Sequence, residues 1–100
     1  MQHLRKNISS RMYQLVYTKS AEHDLAKLSK ALAKRVLQKL EYFIRSENPF
    51  SYAKKLVNFA HDTYRFRVGE YRVIFRVDPE KKRFVILVVL RVLHRKGAYE

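Results

Sequence analysis

The sequence predicts an α+β domain of order β-α-α-β-β-β: an N-terminal strand, a helical hairpin, then a largely antiparallel twisted sheet. Apolar residues recur at helical spacing through residues 21–44 and at strand spacing on both sides of them. A Gly-Glu pair at 69–70 separates two alternating runs, the pattern of a tight hairpin. A nearly continuous apolar run then spans residues 83–92, as expected of a central strand covered on both faces. Helices segregated ahead of a mainly antiparallel sheet make an α+β domain. One hundred residues hold one such domain and no second.

Residues 1–11 carry three basic residues, no acid and no periodicity. They are expected to form a mobile basic arm, or an extension ahead of a start at Met12. Tyr13, Leu15 and Tyr17 alternate onto one face of a strand. Thr18 or Ser20 then caps a first helix, with Glu22 and Asp24 near its N-terminus, where the helix dipole favours acids. Leu32, Val36, Leu37, Leu40, Phe43 and Ile44 give a second helix its apolar stripe, and Asn48-Pro49 stops it. Residues 50–60 fit either a short turn or a loop anchored by Phe50, Tyr52, Leu56 and Phe59. His61 to Val68 and Tyr71 to Val77 are expected strands, joined at Gly69-Glu70 by a type II′ turn with glycine first. Residues 78–82 form a turn, and Arg83 to Val92 the last strand.

Composition narrows the function. Twenty-two Lys and Arg against nine Asp and Glu give a formal charge of +13. Such an excess repels itself and points to nucleic acid, an anionic membrane surface or an acidic protein partner. The absence of Cys excludes a disulfide scaffold, a thiolate metal site and a Cys nucleophile, and fits a cytoplasmic protein. No apolar run approaches the ~20 residues a spanning helix needs, and the first residues do not have the pattern of a cleaved signal. No metal-ligand spacing, acidic cluster or glycine-rich phosphate loop is present, so neither metal nor cofactor is expected.

The arginines carry the functional argument. Counting back from the Gly69-Glu70 loop, Val68 faces Tyr71, Arg67 faces Arg72, Phe66 faces Val73, Arg65 faces Ile74 and Tyr64 faces Phe75. Tyr64, Phe66, Val68, Tyr71, Val73 and Phe75 then share the core face, and Arg65, Arg67, Arg72 and Arg76 share the other. Like charges directly opposite one another destabilise a sheet. A surface preset for several phosphates explains the arrangement, because guanidinium groups bind phosphate oxygens in bidentate fashion and stay charged. Beyond the last strand come His94, Arg95, Lys96 and Tyr99, an imidazole, two cations and a phenol. Arginine, histidine and tyrosine together can cleave RNA by attack of its own 2′-hydroxyl. That reaction needs a proton acceptor, a donor for the leaving 5′-oxygen and cations for the phosphorane, but no metal.

From Met12 to Tyr99 the chain resembles the RelE/ParE superfamily of toxins from toxin–antitoxin pairs. The stretch Tyr64-Arg65-Phe66-Arg67-Val68-Gly69-Glu70-Tyr71-Arg72-Val73-Ile74-Phe75 is similar to the family's strand pair, and His94-Arg95-Lys96-Gly97-Ala98-Tyr99 to the ending of RelE-type members. The resemblance implies a single RelE-like toxin domain over 12–100 that enters the ribosomal A site, contacts rRNA and cuts mRNA. It also implies neutralisation by an acidic antitoxin, with operator DNA touched only through that antitoxin. By the same resemblance the basic pair before the turn is Arg65 and Arg67, Arg72 contacts the scissile phosphate, and Arg95, Tyr99 and His94 complete the catalytic set. Arg65, Arg67, Arg76 and Lys96 are the expected phosphate-binding residues. Some RelE proteins have Lys in the basic pair; Arg at both positions implies an electrostatic rather than acid–base role there. The main alternative is a ParE-like toxin that inhibits DNA gyrase, since Leu90-Arg91-Val92-Leu93-His94 occurs in similar form in that branch. A basic nucleic-acid-binding module without activity is a third.

Overall fold

A computed structural model describes residues 5–9, 12–57, 59, 62–78 and 85–97. The described elements are β1 (Arg5–Ser9), β2 (Tyr13–Tyr17), α1 (Lys19–Ala26), α2 (Lys30–Arg45), β3 (Ala53–Lys55), β4 (Thr63–Val68), β5 (Tyr71–Asp78) and β6 (Val85–His94), with a 3-10 turn at Pro49–Tyr52 and another at Arg95–Gly97. The strands form one mixed sheet in the order β1-β2-β6-β5-β4-β3. β2 runs parallel to β6, and the other described pairings are antiparallel. The expected α+β order stands, with two short strands added at the sheet edges. β1 occupies residues expected in the basic arm and pairs antiparallel with β2. β3 lies in the ambiguous 50–60 stretch, which divides into a turn and a strand. The rest of the arm, the expected turn over 79–82 and Tyr99 fall outside the described residues.

Local chemistry accounts for the helices. Thr18 caps α1: its Oγ1 accepts the Ala21 N–H at 3.1 Å. Ser29 caps α2, accepting the Leu32 N–H at 3.2 Å. α2 ends at Arg45, where the Ser46 hydroxyl donates to the Phe43 carbonyl at 2.6 Å, and Asn48 then caps the Pro49–Tyr52 turn. Val36, Leu40, Phe43 and Ile44 of α2 join Ala21 and Leu25 of α1 over the sheet face that carries Leu15, Tyr17, Phe66, Val73, Phe75, Leu87 and Val89. The opposite face is also covered near its middle: Ile74, Ile86 and Val88 are buried. Covering on both faces is why β6, lying between β2 and β5, reads as an unbroken apolar run.

β6 outlasts β2. The parallel ladder ends at Tyr17 opposite Val89, and the start of α1 takes over the edge that β2 leaves. The Thr18 N–H donates to the Val89 carbonyl at 3.0 Å, and its hydroxyl to the Leu90 carbonyl at 3.1 Å. Asp24 accepts the Val92 N–H at 2.9 Å and the Arg91 guanidinium at 2.7 and 3.1 Å. Asp24 is therefore more than an acid near a helix N-terminus: it is 8% exposed and closes the end of the sheet. Leu90 forms a bulge here, since Ile74 pairs with Arg91 and Phe75 with Val89.

Asp24→Ala strands a buried N–H and a guanidinium, and is expected to cost about 2–3 kcal/mol by denaturant titration. Burial pushes the Asp24 carboxyl up, but its bonds from Arg91 and Val92 and the nearby charges of Arg91 and Lys27 outweigh this and hold it below its ordinary value of 3.8. A carboxylate lowered on folding stabilises the fold above its unfolded pKa, and the effect is lost as pH falls through the folded value. The stability gap between wild type and Asp24→Asn is therefore expected to be full at neutral pH and to close only below pH 3.8.

Candidate functional site

The candidate site grows from the β4–β5 hairpin. Gly69 has φ +57°, a conformation that favours glycine, and lets the chain reverse within two residues. The register matches the expected one throughout: Val68 with Tyr71, Arg67 with Arg72, Phe66 with Val73, Arg65 with Ile74 and Tyr64 with Phe75, with Thr63 opposite Arg76. The six aromatic and aliphatic residues face the core cluster.

The arginines do not form the exposed row that alternation suggested. Arg67 is exposed and Arg76 half-buried, but Arg65 and Arg72 are only 8% and 3% exposed. Arg72 folds back over the turn, its Nη1 donating to the carbonyls of Gly69 at 3.1 Å and Tyr71 at 3.0 Å. Carbonyl acceptors at the turn help make this burial possible, because they answer part of a guanidinium's need for hydrogen bonds. The like charges at 67 and 72 are thereby separated by depth, one in solvent and one beneath the turn.

The end of β6 arrives at the same turn. His94 pairs with Tyr71, the residue beside Arg72, and the two rings meet edge to face at 5.4 Å. The Arg95 N–H donates to the Glu70 carbonyl at 2.7 Å, and its Nε lies 2.9 Å from Glu70 Oε1. The same oxygen is 4.0 Å from His94 Nε2. His94 Nδ1 accepts the Lys96 N–H at 3.2 Å, so the neutral ring carries its proton on Nε2, towards Glu70. The side chains of Glu70, Arg95 and His94 are 62%, 53% and 42% exposed, so all three are open to a ligand. The structure thus brings His94, Arg95 and Lys96 to the hairpin end that carries Arg67 and Arg72. It leaves Arg65 and Arg76 farther along the strands, where their register partners are Ile74 and Thr63.

Glu70 is the residue sequence reasoning passed over. It appeared only as the second position of a turn, and its role depends on a tail whose Arg95 arrives from 25 residues later. Its carboxylate is the one acid in the described cluster. It can accept a proton, or yield its place on Arg95 to a phosphate, because an exposed ion pair contributes only about 0–1 kcal/mol. Among the described residues no three His, Asp or Glu gather as metal ligands. An open hollow of about 520 Å³ beside α1 is lined by Lys19, Ser20, Glu22, His23 and Ala26, none of which belongs to this cluster.

Comparison with known proteins gives the chain its family. The family described as the ParE toxin of type II toxin–antitoxin systems, parDE, matches residues 15–99. Toxin RelG of Mycobacterium tuberculosis is 31% identical over 87 residues, which are 87% of this chain and 95% of that protein. Among solved structures, the RelB–RelE antitoxin–toxin complex of Methanococcus jannaschii superposes with a TM-score of 0.60 at 28% identity, covering 81% of this chain and 91% of that one. The toxin–antitoxin complex RelBE2 of Mycobacterium tuberculosis gives a TM-score of 0.57 at 32% identity, covering 81% and 95%. With its hairpin, its C-terminal cluster and these relatives in agreement, the chain belongs to the RelE/ParE superfamily and is a toxin of a type II toxin–antitoxin system.

Proposed function

We propose that this toxin is a ribosome-dependent mRNA endoribonuclease that stops translation in the cytoplasm and is neutralised by an acidic antitoxin. The observation that carries the reading is the meeting of His94 and Arg95 with the Glu70 turn, with the Lys96 N–H bonded to the His94 ring. It supplies cations and proton-transfer groups together, as metal-free RNA cleavage requires.

In this reaction the 2′-oxygen bonds to phosphorus and the bond from phosphorus to the 5′-oxygen breaks, leaving a 2′,3′-cyclic phosphate and a 5′-hydroxyl. His94 Nε2 already bears the proton of the neutral ring, so the Glu70 carboxylate is the proposed acceptor for the 2′-hydroxyl proton. The leaving 5′-oxygen takes a proton from His94 in its imidazolium form or from Tyr99. Arg95, with Lys96 beside it in the chain, faces the developing phosphorane charge, and Arg67 adds positive field from the other face of the hairpin. Arg72, buried as it is, acts by holding the turn, and Arg65 and Arg76 extend the positive field along the strands. The family match carries the ParE name, which keeps gyrase inhibition as the second reading.

Primer extension on mRNA from translating ribosomes separates the two. Codon-phased cuts are expected, whereas intact mRNA with DNA damage would favour the gyrase target. Glu70→Gln is expected to slow cleavage by about 10²–10⁴-fold while leaving ribosome binding intact. Arg67→Gln relieves a like-charge pair, so it is expected to reduce cleavage with melting temperature unchanged or slightly raised. Arg72→Gln is expected to lose about 1–3 kcal/mol of stability, measured by urea titration, because it unties the turn carbonyls.

A further inference from the structure

An aromatic column runs through the core and emerges at the surface. Tyr64 stacks on Phe75 at 5.6 Å between ring centroids, and Phe75 on Phe66 at 4.4 Å. Phe66 meets Phe43 at 4.7 Å, and Phe43 stacks on Tyr52 at 4.7 Å. The interplanar angles along the column are 17°, 21°, 30° and 25°, so successive rings stay roughly parallel. Phe66 and Phe75 are fully buried and Phe43 nearly so, but the terminal ring, Tyr52, is 42% exposed. Tyr42, 57% exposed, stands edge-on to it at 5.9 Å. Lys39 Nζ sits 5.2 Å from the Tyr42 ring centroid, and Lys54 is exposed two residues beyond Tyr52.

We propose that Tyr52, flanked by Tyr42, Lys39 and Lys54, is a stacking platform for an unpaired base of single-stranded RNA, at a position separate from the Glu70 cluster. This rests on the reading above that the toxin acts on RNA. Covering Phe43 accounts for one ring, since Tyr52 lies over it. It does not account for Tyr42, which stays outside the packed core and leaves more than half its surface in water. A base adds the next layer to the column, and its phosphates meet the two lysines. Base–aromatic stacking tolerates any sequence because every base has a π-face, and nearby cations follow the backbone. The phenols suit that neighbourhood. The Tyr42 hydroxyl beside it pushes Tyr52 above its ordinary value of 10.0, so Tyr52 is neutral at physiological pH and does not repel phosphate. An acidic peptide satisfies the lysines but brings no obligatory planar ring to extend the column.

The test is fluorescence anisotropy with a short labelled single-stranded RNA, 2′-O-methylated so that it cannot be cut, over a salt series. Tyr52→Leu keeps an apolar cover on Phe43 while removing the ring, and is expected to weaken binding about 5- to 100-fold. Its slope of log affinity against log salt should match wild type, because no phosphate contact is lost. Arg67→Gln should instead flatten that slope by about 0.7. Tyr52→Phe should bind as wild type does. Should Tyr52→Leu prove unstable in thermal melting, Tyr42→Ala substitutes, with a smaller loss of the same character. Wild-type affinity in Tyr52→Leu, or in Tyr42→Ala where that substitutes, overturns the proposal, as does an absence of single-strand binding in the wild type. A variant that loses affinity for an acidic peptide and keeps it for RNA overturns it too. Failure of the nuclease reading shows separately, as a wild type that binds the RNA but leaves mRNA on ribosomes uncut.

Discussion

The two-residue reversal at Gly69-Glu70 governs most of what surrounds it. A hairpin that tight leaves the β4–β5 register no slack. A slip of one residue would carry Tyr64, Phe66 and Val68 out of the core and put Arg65 and Arg67 into it. The buried column of Phe66 and Phe75 therefore holds the arginines on the far face as firmly as the turn does. That register also sets Arg67 against Arg72. Two unit charges 4 Å apart repel by about 1 kcal/mol in water and more in a lower dielectric. The chain resolves the conflict by asymmetry. Arg72 turns under the loop to the carbonyls of Gly69 and Tyr71, and Arg67 remains in solvent. The turn and the buried guanidinium thus support one another.

The second constraint is the bulge at Leu90. Continued without it, the β5–β6 register would place Leu93 opposite Tyr71 and Arg91 opposite Val73. The extra residue puts Val92 on the core face and His94 beside the turn instead. A bulge leaves backbone groups in need of partners, and here Thr18, the N-cap of α1, and Asp24, in its last turn, supply them. One inserted residue, satisfied by a buried carboxylate on a neighbouring helix, decides which side chain reaches Glu70. The Asp24–Arg91 pair is thus linked to the candidate site while touching none of its residues.

Alternation with a period of two made the hairpin register legible in the sequence, because both strands carry large apolar residues at every second position and Gly-Glu marks their junction. The helix pair was legible for the same reason at a period of 3.6. The depth of each arginine was not, since it depends on carbonyls and neighbouring strands that alternation does not encode. Asp24 was given its local meaning, an acid near a helix N-terminus, and the tertiary structure overrode it with a guanidinium 67 residues away. β3 escaped notice because three residues are too few to show a period. The parallel pairing of β2 with β6 joins segments about 70 residues apart. Glu70 was given only a turn position and Tyr52 only that of a loop anchor, for a shared reason: each acquires its neighbours when distant segments fold against it.

Burial of Arg65 and Arg72 changes the physical basis of the functional reading. A row of four exposed guanidinium groups would hold a polyanion along the length of the strands. The folded chain instead leaves one exposed guanidinium, Arg95, on a single carboxylate at the hairpin's end, with Lys96 next to it in the chain and Arg67 exposed on the other face of the hairpin. A cluster that small suits one phosphate group better than a long backbone track, and a single scissile phosphate is what a nuclease must hold. Among the described residues other cations lie on the helices and β3, where Lys39, Lys54 and Lys55 are exposed. On the nuclease reading proposed above, general affinity for an anionic partner comes from the whole surface, and the capacity to act on one bond from the turn. On that same reading, an antitoxin that neutralises the first keeps the toxin from its proposed target, and one that covers Glu70 and Arg95 silences the second.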